Sequence, residues 1–335
     1  MASYLNLQGH EIYVFSPLDG ELYRRSLSLG LNVIPIKWKK NNYYNPIFLI
    51  KLYFTVRKLK LDAIIFNSFI DIRDASFVCL FAGIKKRILR VGMPILPKRN
   101  IIYNLAFRFG LSRFVGISNE ILNLFGNTNL INNKVCKFIP NGIDLDVFKF
   151  HNRNFQQINY SFGNCVRLTD QKGLFDFIDI AESILSKLPN STFFLAGAGE
   201  LENELKTYVK VKGLQDNFKF LGHIESVAEF YKDINFLIFT SRYEGTARTI
   251  IEAMSVGSIV FCYDTSSMSE MIMDGINGFK IEPFNVDKFI EKILLVCKSN
   301  PNYLQEIQKN AYKNVFESYN KKVNYEIWRD FILFD

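Results

Sequence analysis

Two carboxylates, Glu244 and Glu252, stand with seven residues between them in a segment whose surroundings suit anion and hydroxyl recognition. The apolar run Phe236-Leu237-Ile238-Phe239 has strand length and feeds the turn Thr240-Ser241-Arg242-Tyr243-Glu244-Gly245-Thr246. A helical pattern follows from Ala247, with Thr246 as expected N-cap and Gly257 as expected C-cap. A strand, a Gly-containing turn and a helix start leave free backbone N–H groups, an arrangement suited to a diphosphate. Gly245, without a Cβ, lets the backbone come close to a ligand. Glu252 lies within Ile250-Ile251-Glu252-Ala253-Met254, where an ionised carboxylate needs partners, and sugar hydroxyls could supply them. The spacing by itself also fits Glu252 on a solvent stripe and Glu244 as a turn cap.

The elements that must hold these residues alternate along the chain. Strands are predicted at Glu11–Ser16, Asn32–Ile36, Leu61–Asn67, Arg87–Val91, Arg113–Ile117 and Lys137–Ile139. Helical spacing covers Ile47–Leu59, Ala75–Phe81 and Ile101–Phe109. The polar stretch from Lys149 to Tyr160 breaks the pattern and reads as a linker. Alternation then resumes: strands at Phe162–Arg167, Thr192–Ala196, Phe218–Leu221, Phe236–Phe239 and Ile259–Cys262; helices at Gly173–Leu188, Leu201–Val211, Val227–Tyr231, Arg248–Val256, Val286–Cys297 and Tyr303–Phe316. The predicted class is α/β, two consecutive Rossmann-like doubly wound domains that bind ligands at the carboxyl ends of their strands, facing across a cleft. The expected division is 1–148, 149–316 and a C-terminal helical segment, 317–335, packing back on the first domain.

An ordered set of motifs resembles the family 4 glycosyltransferases, of GT-B fold and group 1 type. Glu244-Gly245 followed by Glu252-Ala253-Met254 resembles the family's E-x7-E signature. Arg167-Leu168-Thr169-Asp170-Gln171-Lys172-Gly173 resembles RLxxxKG, and Phe194 to Gly199 the strand-plus-GxG segment. Phe220-Leu221-Gly222, Ile139-Pro140-Asn141-Gly142-Ile143-Asp144 and Asp274-Gly275-Ile276-Asn277-Gly278 resemble the FLG, IPNGVD and DGxxG segments. The set spans about residues 110–330, in the family's order.

The resemblance implies a role for each matching residue. Arg167 and Lys172 would hold a diphosphate and offset its charge as the leaving group departs. Glu244 would contact the donor sugar and Glu252 the ribose hydroxyls. The backbone at Gly245, Thr246 and Ala247 would contact phosphate. Gly222, His223 and Ile224 would lie along the base, although His223 also fits a structural role, and Glu270 would help close the pocket. The implied reaction retains anomeric configuration and needs no metal or other cofactor. The spelling Asp144-Leu145-Asp146 falls in the IPNGVD turn, where a capping role is expected.

The first half departs from the family pattern. Gly9-His10-Glu11-Ile12 matches the end of the first helix, and the family's first strand and Gly-rich loop are not found before it. The missing strand would be central, so exposed sheet edges and apolar surface are expected there. Asn67, Ser68 and Arg90 are the candidates on the acceptor side, where many family members carry a histidine. Ser266-Ser267-Met268-Ser269 replaces the usual glycines before Glu270.

Composition bounds the remaining possibilities. No run of about 18 uncharged apolar residues occurs, and the five scattered cysteines form no CxxC pair, which points to reduced thiols and no zinc site. Residues 1–150 hold 21 Lys and Arg against 9 Asp and Glu, a net +12, whereas residues 151–335 carry a net −4. The clusters Lys37-Trp38-Lys39-Lys40, Arg57-Lys58, Lys85-Lys86-Arg87 and Lys98-Arg99 suit anionic lipid headgroups, a lipid pyrophosphate or nucleic acid, and equally fit solvated helix ends. No nucleic-acid-binding signature accompanies them. The expectation is a cytoplasmic, peripherally membrane-bound retaining glycosyltransferase. It would move a sugar from a UDP- or GDP-sugar to a glycan or lipid-linked acceptor in surface polysaccharide synthesis. The alternatives are a truncated GT-B protein that binds a nucleotide sugar without transfer and a GT-B nucleotide-sugar epimerase.

Overall fold

The computed structural model describes residues 1–36, 44–153, 155–156 and 159–334. The expected basic cluster Lys37 to Lys40 lies outside them. The chain divides into two compact units, Met1–Ile117 with Ile121–Ile139 and Lys322–Asp335, and Ser118–Glu120 with Pro140–Lys321.

The first unit runs α1 (Ala2–Leu7), β1 (Tyr13–Ser16), α2 (Glu21–Ser28), β2 (Asn32–Pro35), α3 (Pro46–Leu59), β3 (Ala63–Phe66), α4 (Phe69–Phe81), β4 (Lys86–Val91), α5 (Ile101–Leu105), β5 (Arg113–Gly116), α6 (Asn119–Gly126) and β6 (Val135–Phe138). A π turn, Ala106–Gly110, continues α5. All strand pairs are parallel, but they form two separate sheets, β1-β2 and β3-β4-β5-β6. Spacing missed α1, α2 and α6, which are six, eight and eight residues long, and the first half of α4.

The second unit continues with β7 (Ser161–Cys165), α7 (Leu174–Lys187), β8 (Thr192–Ala196), α8 (Glu202–Val211), β9 (Phe218–Gly222), α9 (Val227–Lys232), β10 (Phe236–Phe239), α10 (Arg248–Val256), β11 (Ile259–Tyr263), α11 (Met268–Met271), β12 (Phe279–Ile281), α12 (Val286–Cys297) and α13 (Pro301–Ser318). Its six strands form one parallel sheet in the order β12-β11-β10-β7-β8-β9. Every residue of β10 and β11 is buried, as expected of central strands covered on both faces. The connection direction reverses between β7 and β10. Such a switch point opens a crevice at the carboxyl ends of the two strands.

The last helix, α14 (Lys321–Leu333), groups with the first unit from Lys322 onward. There Trp328 and Phe331 pack with Ile88, Val115 and Ile139. The division falls after Ile139 rather than after 148, because the following segment is tied to the second unit. Ile143 exchanges backbone hydrogen bonds with Tyr319 and Lys321, and Phe148 is buried in that unit's core. The predicted linker is likewise packed where described: Phe155 joins the core, and the buried Arg153 guanidinium donates to the carbonyls of Gly257, Lys232 and Tyr231.

Candidate functional site

The backbone around the switch point explains how two distant stretches come together. β7 ends at Cys165 and leads through Arg167 into a 3-10 turn, Asp170–Lys172. β10 ends at Phe239 and leads into the Glu244 turn. Three hydrogen bonds join the turns: Arg242 N–H to Gln171 O (2.8 Å), Gln171 Nε2 to Tyr243 O (2.7 Å) and Thr240 Oγ1 to Lys172 O (3.0 Å). Gly173 makes this approach possible. Its φ is +59°, and a Cβ there would lie 2.3 Å from the Thr240 carbonyl oxygen. Gly197 is as tightly placed, at φ +126° against the Val166 carbonyl.

This stitching brings Lys172 Nζ onto Glu244 Oε1 as an ion pair of two buried side chains. Arg167, one turn earlier, is exposed and has no ion-pair partner among the described residues. The turn past Glu244 presents unused donors: the N–H groups of Gly245 and Ala247 bond to no acceptor among the described residues. Thr246 is not the cap its type suggests. Ala247 holds the N-cap position without a side-chain bond, and the Arg248 N–H donates to the Thr246 carbonyl (2.8 Å). Gly257 does end α10, in the left-handed region.

Glu252 is buried on α10, 7% exposed, rather than on a solvent stripe. Its partner is Arg248 one turn earlier, Nε to Oε1 2.7 Å, and that side chain is itself largely exposed. Burial raises the Glu252 carboxyl above the usual range, and Arg248 partly opposes the rise. Thr249 Oγ1 donates to the Cys165 carbonyl (3.2 Å) and so ties this helix to the end of β7.

Ser266, at φ +51°, adds a contact that type alone did not single out. Its Oγ lies 2.8 Å from the Glu244 carbonyl oxygen, accepts from the Glu244 N–H (3.3 Å) and lies 2.9 Å from Glu120 Oε2. Glu270 is exposed and accepts from the N–H groups of Asn119 (2.8 Å) and Glu120 (2.5 Å), residues that group with the second unit. The hydroxyls of Ser241 and Ser267 are buried without a hydrogen-bond partner among the described residues. Arg248 was legible as a residue four before Glu252 on one helix. Ser266 carried no such signal, because its role depends on a left-handed backbone.

The other predicted residues belong to other elements. Gly222 ends the edge strand β9 at φ +63°, and His223, exposed, and Ile224 follow it. Asn67, Ser68 and Arg90 belong to the first unit. Asn67 and Ser68 start α4: Ser68 Oγ accepts from the Asp71 N–H (3.2 Å), and Asp71 accepts from the Asn67 N–H (3.2 Å), a reciprocal cap. Burial lowers the affinity of Arg90 for its proton. Asp146 N–H donates to Asp144 Oδ1 (3.2 Å), in keeping with a turn. A cavity of about 590 Å³ opens at the amino ends of β7 and β8, lined by Ser161, Asn190, Thr192 and Asn235 among others, and holds none of the predicted site residues.

A doubly wound parallel sheet with a basic turn, a paired carboxylate and, among the described residues, open N–H groups at its switch point is an α/β arrangement suited to an anionic ligand. Residues 153–314 match the family model for glycosyl transferases group 1, in keeping with the expected GT-B fold. It is 32% identical over 136 residues to an uncharacterized glycosyltransferase of Methanocaldococcus jannaschii, covering 38% of this chain and 34% of that protein. It is 26% identical over 212 residues to the poly(ribitol-phosphate) alpha-N-acetylglucosaminyltransferase of Staphylococcus aureus, covering 62% of this chain and 40% of that one. The chain thus spans about two fifths or less of these relatives' length. In fold it is similar to Anabaena HepE solved in complex with UDP: TM-score 0.81, 19% identity, 99% of this chain and 96% of that one.

Proposed function

We propose that the chain transfers a sugar, with retention of configuration, from a nucleotide-diphosphate sugar to a glycan or lipid-linked acceptor in surface polysaccharide synthesis. The observation that carries this reading is the Lys172–Glu244 pair at the switch point, together with Arg167 and the N–H groups of Gly245 and Ala247, which have no partner among the described residues. Arg167 and Lys172 would neutralise the diphosphate, and the two N–H groups would take phosphate oxygens. Glu244 would meet the donor sugar, with Ser266 fixing its backbone. Glu252, buried and held by Arg248, would take the ribose hydroxyls, and Gly222, His223 and Ile224 would line the base. Glu270 would close the pocket, and no metal is required in this scheme. The departing nucleotide's phosphate would take the acceptor proton.

Support for the substrates is indirect. HepE was solved with UDP, and the S. aureus relative is named for a poly(ribitol-phosphate) acceptor. Asn67, Ser68 and Arg90 stand as acceptor-side candidates, although Asn67 and Ser68 already cap α4. Among the described residues no helix is long and apolar enough to cross a membrane. The excess positive charge of residues 1–150 favours a cytoplasmic protein held peripherally at an anionic membrane. A screen of UDP- and GDP-sugars, followed by nucleotide release and by NMR of the product's anomeric proton, tests the reading. Release from no donor, or a product of inverted configuration, would overturn it.

A second reading, a binder of nucleotide sugars without transfer, is favoured by the separation of the first unit's strands into two sheets. Donor binding with no nucleotide release to any acceptor would support it.

A further inference from the structure

The first unit carries charge of one sign over long distances. Residues 22–61 contain 9 Lys and Arg and no Asp or Glu, and residues 75–119 contain 8 and none. Part of this charge is used internally. The Arg87 guanidinium is turned inward onto the carbonyls of Ile84, Lys85 and Gly110, and Lys86 Nζ donates to the Leu333 carbonyl (2.5 Å). The Lys85–Arg87 cluster is therefore not the surface its spelling suggests.

The outward charge sits elsewhere, together with apolar side chains left exposed among the described residues. On α3, Ile47, Ile50 and Phe54 are 78%, 57% and 65% exposed. They share one helix face with the exposed Lys51 and Lys58, opposite the buried Leu52 and Val56. On α5 and its π turn, Ile101, Leu105 and Phe109 recur every four residues and are exposed, with the Arg108 guanidinium 5.3 Å from the Phe109 ring centre. Lys98 and Arg99 precede them. α4 packs against both helices and adds Phe81, 71% exposed at its end. Its acids are withdrawn: Asp74 is buried beside Arg73, and Asp71 caps the helix.

We propose that this outer face of α3, α4 and α5 docks on an anionic lipid bilayer, with Ile50, Phe54, Ile101 and Phe109 entering the interface and Lys51, Lys58 and Arg99 meeting lipid phosphates. The inference deepens the functional reading, on which it rests for a lipid-linked acceptor, by naming the surface and its partner. Alternation of large apolar tips with cations and the absence of outward acids is the pattern of an interfacial helix face. Nucleic acid would use the cations but leave the isoleucine and phenylalanine tips wet. A second copy would meet like charge.

The test is flotation of the full chain with vesicles of phosphatidylcholine alone and of phosphatidylcholine mixed with phosphatidylglycerol. The protein should float with the anionic vesicles, and less so as salt rises. Ile50→Ser with Phe54→Ser should reduce binding about tenfold, and Lys51→Glu with Lys58→Glu should remove the preference for anionic vesicles. All these residues are exposed, so thermal melting and binding of UDP by the second unit should stay as in wild type. Equal binding to both vesicles, no binding, or variants that float like wild type would overturn the proposal. A concentration-dependent dimer lost in the Phe54 variant would assign the face to a second copy. Competition by duplex DNA without vesicle binding would assign it to nucleic acid. A chain that floats but releases nucleotide from no donor would keep this inference and lose the enzymatic reading. One that turns over a water-soluble acceptor without floating would do the reverse.

Discussion

Lys172 and Glu244, 72 positions apart, meet as a buried ion pair because the backbones of their two turns are hydrogen-bonded to each other. The pair holds the ammonium at the carboxyl end of β7, where a diphosphate would need it. Removing the lysine leaves a buried carboxylate without its cation, and such a loss costs more than an exposed pair would. Lys172→Ala is expected to lower kcat/KM about a hundredfold or more and to lower the melting temperature. The double variant with Glu244→Ala should be more stable than the sum of the singles predicts. Additive losses in a double-mutant cycle would show that the pair does not act as one unit.

Gly173 is the hinge of that arrangement. Gly173→Ala would need a left-handed alanine with its Cβ driven toward the Thr240 carbonyl. The expected loss is about 1–2 kcal/mol from backbone conformation alone, with more from the displaced turn. Chemical denaturation measures it. Stability equal to wild type would mean that the two turns are not held at the distance described.

Glu252 gives a pH prediction. Burial raises its carboxyl above the model-peptide value in the folded state, so its contribution to stability is full below that ordinary value and declines as pH rises through the raised one. Arg248 restrains the rise. Arg248→Ala should therefore be less stable than wild type at neutral pH, by about 0.5–1 kcal/mol for a partner so exposed. The difference should shrink as both proteins are acidified and the carboxyl becomes neutral. Melting curves of the two proteins from neutral pH down through the ordinary carboxylate range decide this. A difference that grows on acidification would contradict the assignment.

The five thiols should react unequally. Cys136 is exposed on β6, whereas Cys79 and Cys262 are buried. Burial pushes Cys79 up to about 12, and Cys165 and Cys297 likewise to about 12. A thiol reagent applied to the native protein should modify Cys136 first, with Cys79 and Cys262 reacting only on unfolding. Rapid modification of Cys262 would show β11 to be open.

Much of the second unit was legible because its central strands β10 and β11 are short apolar runs and its longer helices are strongly periodic. Thr192–Ala196, Phe236–Phe239 and Arg248–Val256 lie where alternation and capping residues place them. The first unit was less legible. α2 is eight residues long and buries only Ser26, so no buried apolar stripe marks it. Site types were readable from spelling and order, but partners were not. Sequence suggested sugar hydroxyls for Glu252, and the fold supplies Arg248. It offered Ser266 as one of several serines, and only the positive φ at that residue brings its hydroxyl onto the Glu244 backbone. Ser68 looked like a site residue because it follows a strand, and its hydroxyl is a helix cap.

The central claim is that the switch point between β7 and β10 is a donor-sugar site. The most direct measurement is nucleotide release by wild type and by Glu252→Ala, with the best donor from the screen, at saturating acceptor and over a range of donor concentration. The expected result is a folded variant whose melting curve stays cooperative while kcat/KM for the donor falls at least tenfold, about the worth of one well-placed charged hydrogen bond. A variant that released nucleotide at the wild-type rate across that range would contradict the site.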